Sequence, residues 1–239
     1  MSSARELWVV RLGLMGYAAA LELQRAVARA RIAGSISQDV LLLVEHPPVV
    51  TLGRTAKAQH LTTSRELLAS AGVELFEVER GGDVTFHGPG QLVGYPIVDL
   101  KRHTRDLHWY LRRVEEALIV ALGEFGIDGE RSAGYTGVWT RGRKIASIGV
   151  HARDWVTWHG FALNVDTDLS YFELIVPCGI AGVDMTSMRR ELRVPAVGLP
   201  IVEAAVARAF GGLFDLELAD GTLSGLELSM EQTVAGGGA

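Results

Sequence analysis

The 239-residue sequence predicts a single α+β domain built on a largely antiparallel sheet. Short apolar runs of strand character are interspersed with apolar stripes of helical period along the chain. Residues 143–151 and 156–165 both read as strands, and the turn at Arg153-Asp154 between them is so short that they must be antiparallel. No internal repeat and no Ser- or Pro-rich linker divides the chain.

Residues 6–12 read as a first strand. A helix over 17–31 follows, with Leu21, Val27 and several alanines at helical spacing, and Gly34 stops it. The apolar run 40–44 is short enough for a buried strand. Glu45-His46-Pro47-Pro48 turns the chain into a second short strand at 49–52. Ser64 caps a helix over 65–71 in which Leu67 and Leu68 face inward. Residues 73–79 return as a strand, and 95–100 form another that ends in Lys101-Arg102-His103. Asp106 then caps the clearest helix. Its residues Leu107, Leu111, Val114, Leu118, Leu122 and Phe125 step by three and four into one apolar stripe, which is core. With the 143–165 hairpin centred near Asp154, Lys144 lies roughly across from Asn164, and Gly149 from His159. Residues 169–175 deliver Cys178, 185–193 form a short basic helix, and 202–216 form an amphipathic one. The core covers about residues 5–217, with a C-terminal tail from about 223 that frays at 236–239.

Hydrophobic content of 48% and charge of 21% suit a globular protein with a substantial core. A net charge of −5 and a pI near 5.8 argue against nucleic acid as the main partner. The first residues lack the basic-then-apolar order of a signal peptide, and no unbroken apolar stretch reaches the ~18 residues of a membrane helix. The expectation is a soluble, cytoplasmic protein with no membrane partner. Scattered histidines and one cysteine offer no metal-ligand spacing. Cys178 cannot form an internal disulfide. A lone cysteine is usually a small buried hydrophobe. Here it stands between Pro177 and Gly179 where the backbone turns, which suits an exposed nucleophile better.

The rest is organised around Arg80-Gly-Gly-Asp-Val-Thr-Phe-His-Gly-Pro-Gly-Gln-Leu-Val-Gly-Tyr-Pro96. Glycine lets a ligand lie against the main chain, so the Gly81-Gly82 pair and the Gly88-Pro89-Gly90 turn, with Arg80 and His87 at their edges, read as a binding loop.

Four stretches together resemble one family, the lipoyl(octanoyl) transferases. They are Glu45-His46-Pro47-Pro48-Val49-Val50-Thr51-Leu52-Gly53, the 80–96 loop, Lys144-Ile-Ala-Ser-Ile-Gly149 with His159-Gly-Phe-Ala-Leu-Asn164, and Pro177-Cys178-Gly179. The resemblance implies the fold of lipoate and biotin protein ligases, a mixed sheet flanked by helices. It implies transfer of an octanoyl group from acyl carrier protein to a lysine of a lipoyl domain, as the first step of endogenous protein lipoylation. Acceptors would be lipoyl domains of 2-oxoacid dehydrogenase complexes and the glycine cleavage H protein, served by a monomer without ATP or metal. The acyl group would arrive on the phosphopantetheine of the carrier. Carried over by position, Cys178 would hold the acyl group as a thioester and Lys144 would be its catalytic partner. Arg80, Gly81, Gly82, Asp83, Val84, Thr85, Phe86 and His87 would line the substrate site. So would Ser147, Ile148 and Gly149, with Gly160, Phe161 and Ala162; His159 and Asn164 would support it.

An ordinary thiol, with a pKa of about 8.5, is mostly protonated at neutral pH, and a nearby cation favours the nucleophilic thiolate. Composition alone does not choose Lys144 over Arg143; the resemblance does. Backbone N–H groups near Gly179 or in the glycine loop are candidate oxyanion donors. Gly81, Gly82, Ala146, Gly160 and Ala162 would leave room for an acyl chain, walled by Val84, Phe86, Ile148 and Phe161. His87 would touch substrate or orient Lys144, His159 would brace the site, and His151 would be structural. Acidic carrier partners would need local basic patches, with candidates at residues 101–105, at Arg141 with Arg143, and at Arg189-Arg190 with Arg193. An ATP-dependent ligase of the same fold, a Cys-His hydrolase and a non-catalytic carrier binder remain as rival readings.

Overall fold

The computed structural model describes residues 5–236, with side chains to 230. The chain runs β1 (Glu6–Leu14), α1 (Tyr17–Ala33), β2 (Asp39–Glu45), β3 (Val49–Leu52), α2 (Arg65–Ser70), β4 (Glu74–Glu77), β5 (Val84–His87) and β6 (Gln91–Ile97). It continues with α3 (Leu107–Gly123), β7 (Gly137–Thr140), β8 (Arg143–Arg153), β9 (Val156–Asn164), α4 (Met188–Leu192), α5 (Leu199–Phe214), β10 (Glu217–Gly221) and α6 (Leu223–Gly236). Seven strands form one mixed sheet in the order β10-β1-β2-β6-β9-β8-β7. The β10-β1 and β1-β2 pairs are parallel and the remaining four antiparallel. A three-stranded sheet, β4-β3-β5, stands beside it.

The continuous apolar run of β2 follows from burial on both faces. Leu41 and Leu43 enter a core with α3 and α5, while Val40, Leu42 and Val44 enter a second core with α1. A third cluster, around Val50, Leu68, Val84, Phe86 and Phe172, sits on the small sheet.

Asp106 and Ser64 cap their helices as expected, through Oδ1 to the N–H groups of His108 and Trp109 and through Oγ to that of Leu67. Leu67 itself points outward, 62% exposed, because neighbouring residues on a helix face directions about 100° apart and only Leu68 is turned inward. In α3 the buried stripe is Tyr110, Val114, Ala117, Leu118, Ala121 and Leu122, and Leu107 is exposed at the N-terminus. The 95–100 strand in fact begins at Gln91, directly after the glycine turn, and gives way to a 3-10 turn at Leu100–Arg102. The basic helix is shorter than expected, since Met185 pairs with Lys144 instead of joining it. Strands β7 and β10 were not expected.

The hairpin register differs by one residue from expectation. Both Asp154 and Trp155 have positive φ, 51° and 65°, so they form a two-residue type I′ loop closed by Arg153 and Val156. Gly149 therefore pairs with Gly160, and Val150 with His159. Lys144 lies beyond the β9 pairing, opposite Trp139 of β7. The expected tail is a helix to Gly236, with Leu226 fully buried in the α1 core; residues 1–4 and 237–239 lie outside the described residues.

Candidate active site

Lys144 and Cys178, 34 positions apart, meet: Nζ lies 3.2 Å from Sγ. The segment after Cys178 is stitched to the start of β8. Lys144 N donates to Asp184 O at 2.8 Å, and Thr186 N donates to Lys144 O at 2.9 Å. Lys144 is 1% exposed, and its side-chain nitrogen meets no carboxylate among the described residues. Nζ instead sits 4.6 Å over the Trp139 ring and 3.4 Å from Thr136 O. A lysine buried in this way is expensive unless it is used, which sets it apart from a solvated strand-end side chain.

Cys178 is half-buried at the centre of the 3-10 turn Pro177–Gly179, in left-handed backbone conformation (φ 55°, ψ 19°). Gly179 follows at φ 67°, and a Cβ there would meet Asp83 Oδ2 at 2.6 Å. That oxygen pairs with His60 Nδ1 at 2.7 Å, while His60 O accepts from Val176 N at 2.7 Å. His60 and Asp83 thus clasp the cysteine turn to the glycine loop. Nothing in the sequence around His60 marks it, since its partner is supplied by the fold. Gly179 N–H, a candidate oxyanion donor, donates here to Val176 O at 2.9 Å. The nearest side-chain hydroxyl is that of Ser147, with Oγ 3.6 Å from Sγ.

A cavity of about 190 Å³ opens beside the pair. Arg80, Gly82, Asp83, Thr85 and His87 line it from the glycine loop, Ser147, Ile148 and Gly149 from β8, and His159, Gly160, Phe161 and Ala162 from β9. Val84 and Phe86 do not. Strand alternation turns them into the third core, where Phe86 stacks on Tyr171 at 4.7 Å. Ala146 is buried in the α3 core. Gly81 acts through its backbone. Its N–H donates to Val150 O at 2.8 Å, and its carbonyl lies 2.7 Å from where a Gly149 Cβ would stand. Asn164 sits beneath the site, accepting from Gln91 Nε2 at 2.9 Å and donating to Thr186 O at 3.0 Å. Tyr17, Val93, Tyr95, residues 134–136 and Ile180 complete the lining and were missed. Tyr17 at a helix start and Val93 and Tyr95 in a strand are of types that read as core, while residues 134–136 and Ile180 lie between regular elements.

The buried His46 and His87 form hydrogen bonds that fix their tautomers. His46 Nδ1 donates to Met15 O at 2.7 Å, so Nε2 accepts from the Tyr95 hydroxyl at 2.7 Å. His87 Nδ1 donates to Gln91 Oε1 at 2.8 Å, and its ring stacks on Tyr17. Burial pushes His46 down to about 4 and His87 to about 3, so both are neutral at neutral pH. The His87 bond goes to Gln91, not to Lys144. His151 contacts Glu79 O and Trp158, which is a structural setting. Arg80 ties the loop together, donating to Thr51 O at 2.7 Å and to Gly81 O at 3.1 Å. Among the described residues, no helix is long and apolar enough to cross a membrane.

The fold has close structural counterparts. A bipartite lipoate protein ligase from Thermoplasma acidophilum superposes with a TM-score of 0.72 at 19% identity, over 96% of this chain and 92% of that one. Lipoate-protein ligase A bound with ATP gives 0.69 at 17% identity, over 97% and 94%. In sequence, an octanoyltransferase of Gloeobacter violaceus is 49% identical over 215 residues, covering 90% of this chain and 93% of that protein. One from Synechococcus elongatus is 44% identical over 235 residues, covering 98% and 99%. The lipoyl protein ligase A/B catalytic domain model matches residues 16–211. With that span and those identities, the chain belongs to the lipoyl protein ligase A/B catalytic domain family.

Proposed function

We propose that this protein is an octanoyltransferase of protein lipoylation that works through a Cys178 acyl-enzyme. The observation that carries the reading is the 3.2 Å contact of the Lys144 amine with the Cys178 sulfur at the edge of a cavity. The names and identities of the relatives support the acyl group and the reaction.

In the first step Lys144 takes the Cys178 proton, and the sulfur attacks the carbonyl carbon of an octanoyl thioester on acyl carrier protein. A new carbon–sulfur bond forms, the bond to the carrier's phosphopantetheine sulfur breaks, and Lys144 returns its proton to that leaving thiolate. In the second step the ε-amine of a lysine on a lipoyl domain attacks the Cys178 thioester. The amide carbon–nitrogen bond forms, Lys144 removes the amine proton, and Cys178 regains it as its bond to carbon breaks. Thioester exchange is near balance and the amide supplies the downhill step, so no ATP enters. Ser147 Oγ and the Lys144 ammonium are the donors best placed for the developing oxyanion. Burying the octanoyl tail contributes on the order of 5 kcal/mol at ~0.8 per methylene. The acceptors would be lipoyl domains of 2-oxoacid dehydrogenase complexes and the glycine cleavage H protein.

Intact-mass spectrometry after mixing with octanoyl carrier protein tests this. The wild type is expected to gain one octanoyl group and a Cys178→Ser protein no thioester adduct. Transfer at the normal rate by Cys178→Ser would refute the covalent route. Pyrophosphate release from free octanoate and ATP would assign the chain to the ligase reaction instead.

A further inference from the structure

From the sulfur, the cavity runs along the β8-β9 pair. Ser147 pairs with Ala162, Ile148 with Phe161, Gly149 with Gly160, and Val150 with His159. Ser147 Oγ is 3.6 Å from Cys178 Sγ, so His159 stands three register positions from the level of the sulfur. At ~3.4 Å per residue that is about 10 Å, close to the extended length of an octanoyl chain.

His159 reaches the cavity against the alternation of its strand. Thr157 and Leu163, of the same parity, face α3, and Phe161 packs on Phe210 of α5. The left-handed backbone at His159, φ 56°, turns its side chain to the α1 side instead. There Gln24 Oε1 accepts from His159 N at 3.0 Å, and Nε2 lies 3.6 Å from Glu79 Oε1, beyond hydrogen-bond reach. Glu79 is itself pinned by Arg25 at 2.7 Å and Trp158 at 2.8 Å. His159, which lines the cavity, and Gln24 behind it each keep a buried nitrogen without a hydrogen-bond partner. A non-glycine residue held at positive φ in a strand is a costly arrangement, retained where the side chain is needed in that position.

We infer that His159 is the end stop of the acyl slot and sets the length of fatty chain the protein accepts. This rests on the proposed acyl transfer for the identity of the cargo, but the stop is testable without it. The probes are free octanoate, decanoate and dodecanoate, titrated into wild type and into His159→Gly and His159→Asn proteins by calorimetry. Glycine and asparagine both tolerate the left-handed backbone, and either folded variant decides the matter. Wild-type affinity is expected to break beyond the eight-carbon acid. In the variants decanoate is expected to bind about tenfold tighter than octanoate, the gain of two more buried methylenes. An unchanged break in a folded variant, or no fatty-acid binding by the wild type, would overturn the stop. Fatty-acid binding with the expected break, but no octanoyl adduct on Cys178, would leave the stop standing and remove the acyl-enzyme.

Discussion

Single residues carry the chemistry through where they are buried. Lys144 is held out of water without a carboxylate and rests on sulfur, a ring face and one carbonyl. His46 and His87 are neutral because burial penalises their charged forms. Their folded-state values, about 4 and about 3, lie below the ordinary 6.5. Below pH 6.5 the unfolded chain therefore binds more protons than the folded one. Their contribution to stability is complete above about 6.5 and is lost as the pH falls from there toward 4 and 3. Between pH 6.5 and 5, urea denaturation is expected to show a loss of about 1–2 kcal/mol for each histidine. The His46→Gln/His87→Gln double variant should be flatter over that interval. An equally steep curve would place the titration elsewhere.

At the scale of elements, the β8-β9 hairpin sets the site, because its register decides which residues face the cavity. The type I′ loop holds Trp155 at φ 65°, an uncomfortable angle for a bulky side chain. Trp155→Gly is expected to stabilise the protein by about 1 kcal/mol, or roughly 2–4 °C in melting temperature for a chain of this size. A melting temperature below wild type would show that the half-exposed indole contributes more than the backbone strain costs. The glycine loop illustrates the same scale. Its two glycine turns and their edge residues Arg80 and His87 were legible in the sequence, but which side chains face the cavity was not. Thr85 and His87 turned out to line the cavity, and Val84 and Phe86 the core.

For the whole molecule, the acidic chain must still attract acidic carrier proteins if the proposed reaction is right. The candidate basic patches are partly neutralised: Arg143 pairs with Glu191 at 2.8 Å, Arg189 with Asp166 at 2.8 Å, and Lys101 with Asp99 at 3.7 Å. Surface pairs of this kind leave cationic edges that long-range steering can use. Transfer from octanoyl carrier protein is expected to slow several-fold between 50 mM and 300 mM salt, on the order of electrostatic steering effects. Transfer from a small octanoyl thioester should hold nearly constant. Equal salt responses of the two donors would argue against charge-guided docking.

The sequence alone determined the fold class, most helices and strands and the glycine loop, because periodicity, caps and glycine turns are local properties; the individual site residues came from the resemblance. His60, Tyr17 and Tyr95 escaped it, as did the hairpin register and the end wall at His159. Each of these depends on contacts between segments far apart in the chain. The meeting of Lys144 with Cys178 is of the same kind. Resemblance suggested the pair, and only the packing of the 177–186 segment across the start of β8 brings an amine and a sulfur to 3.2 Å.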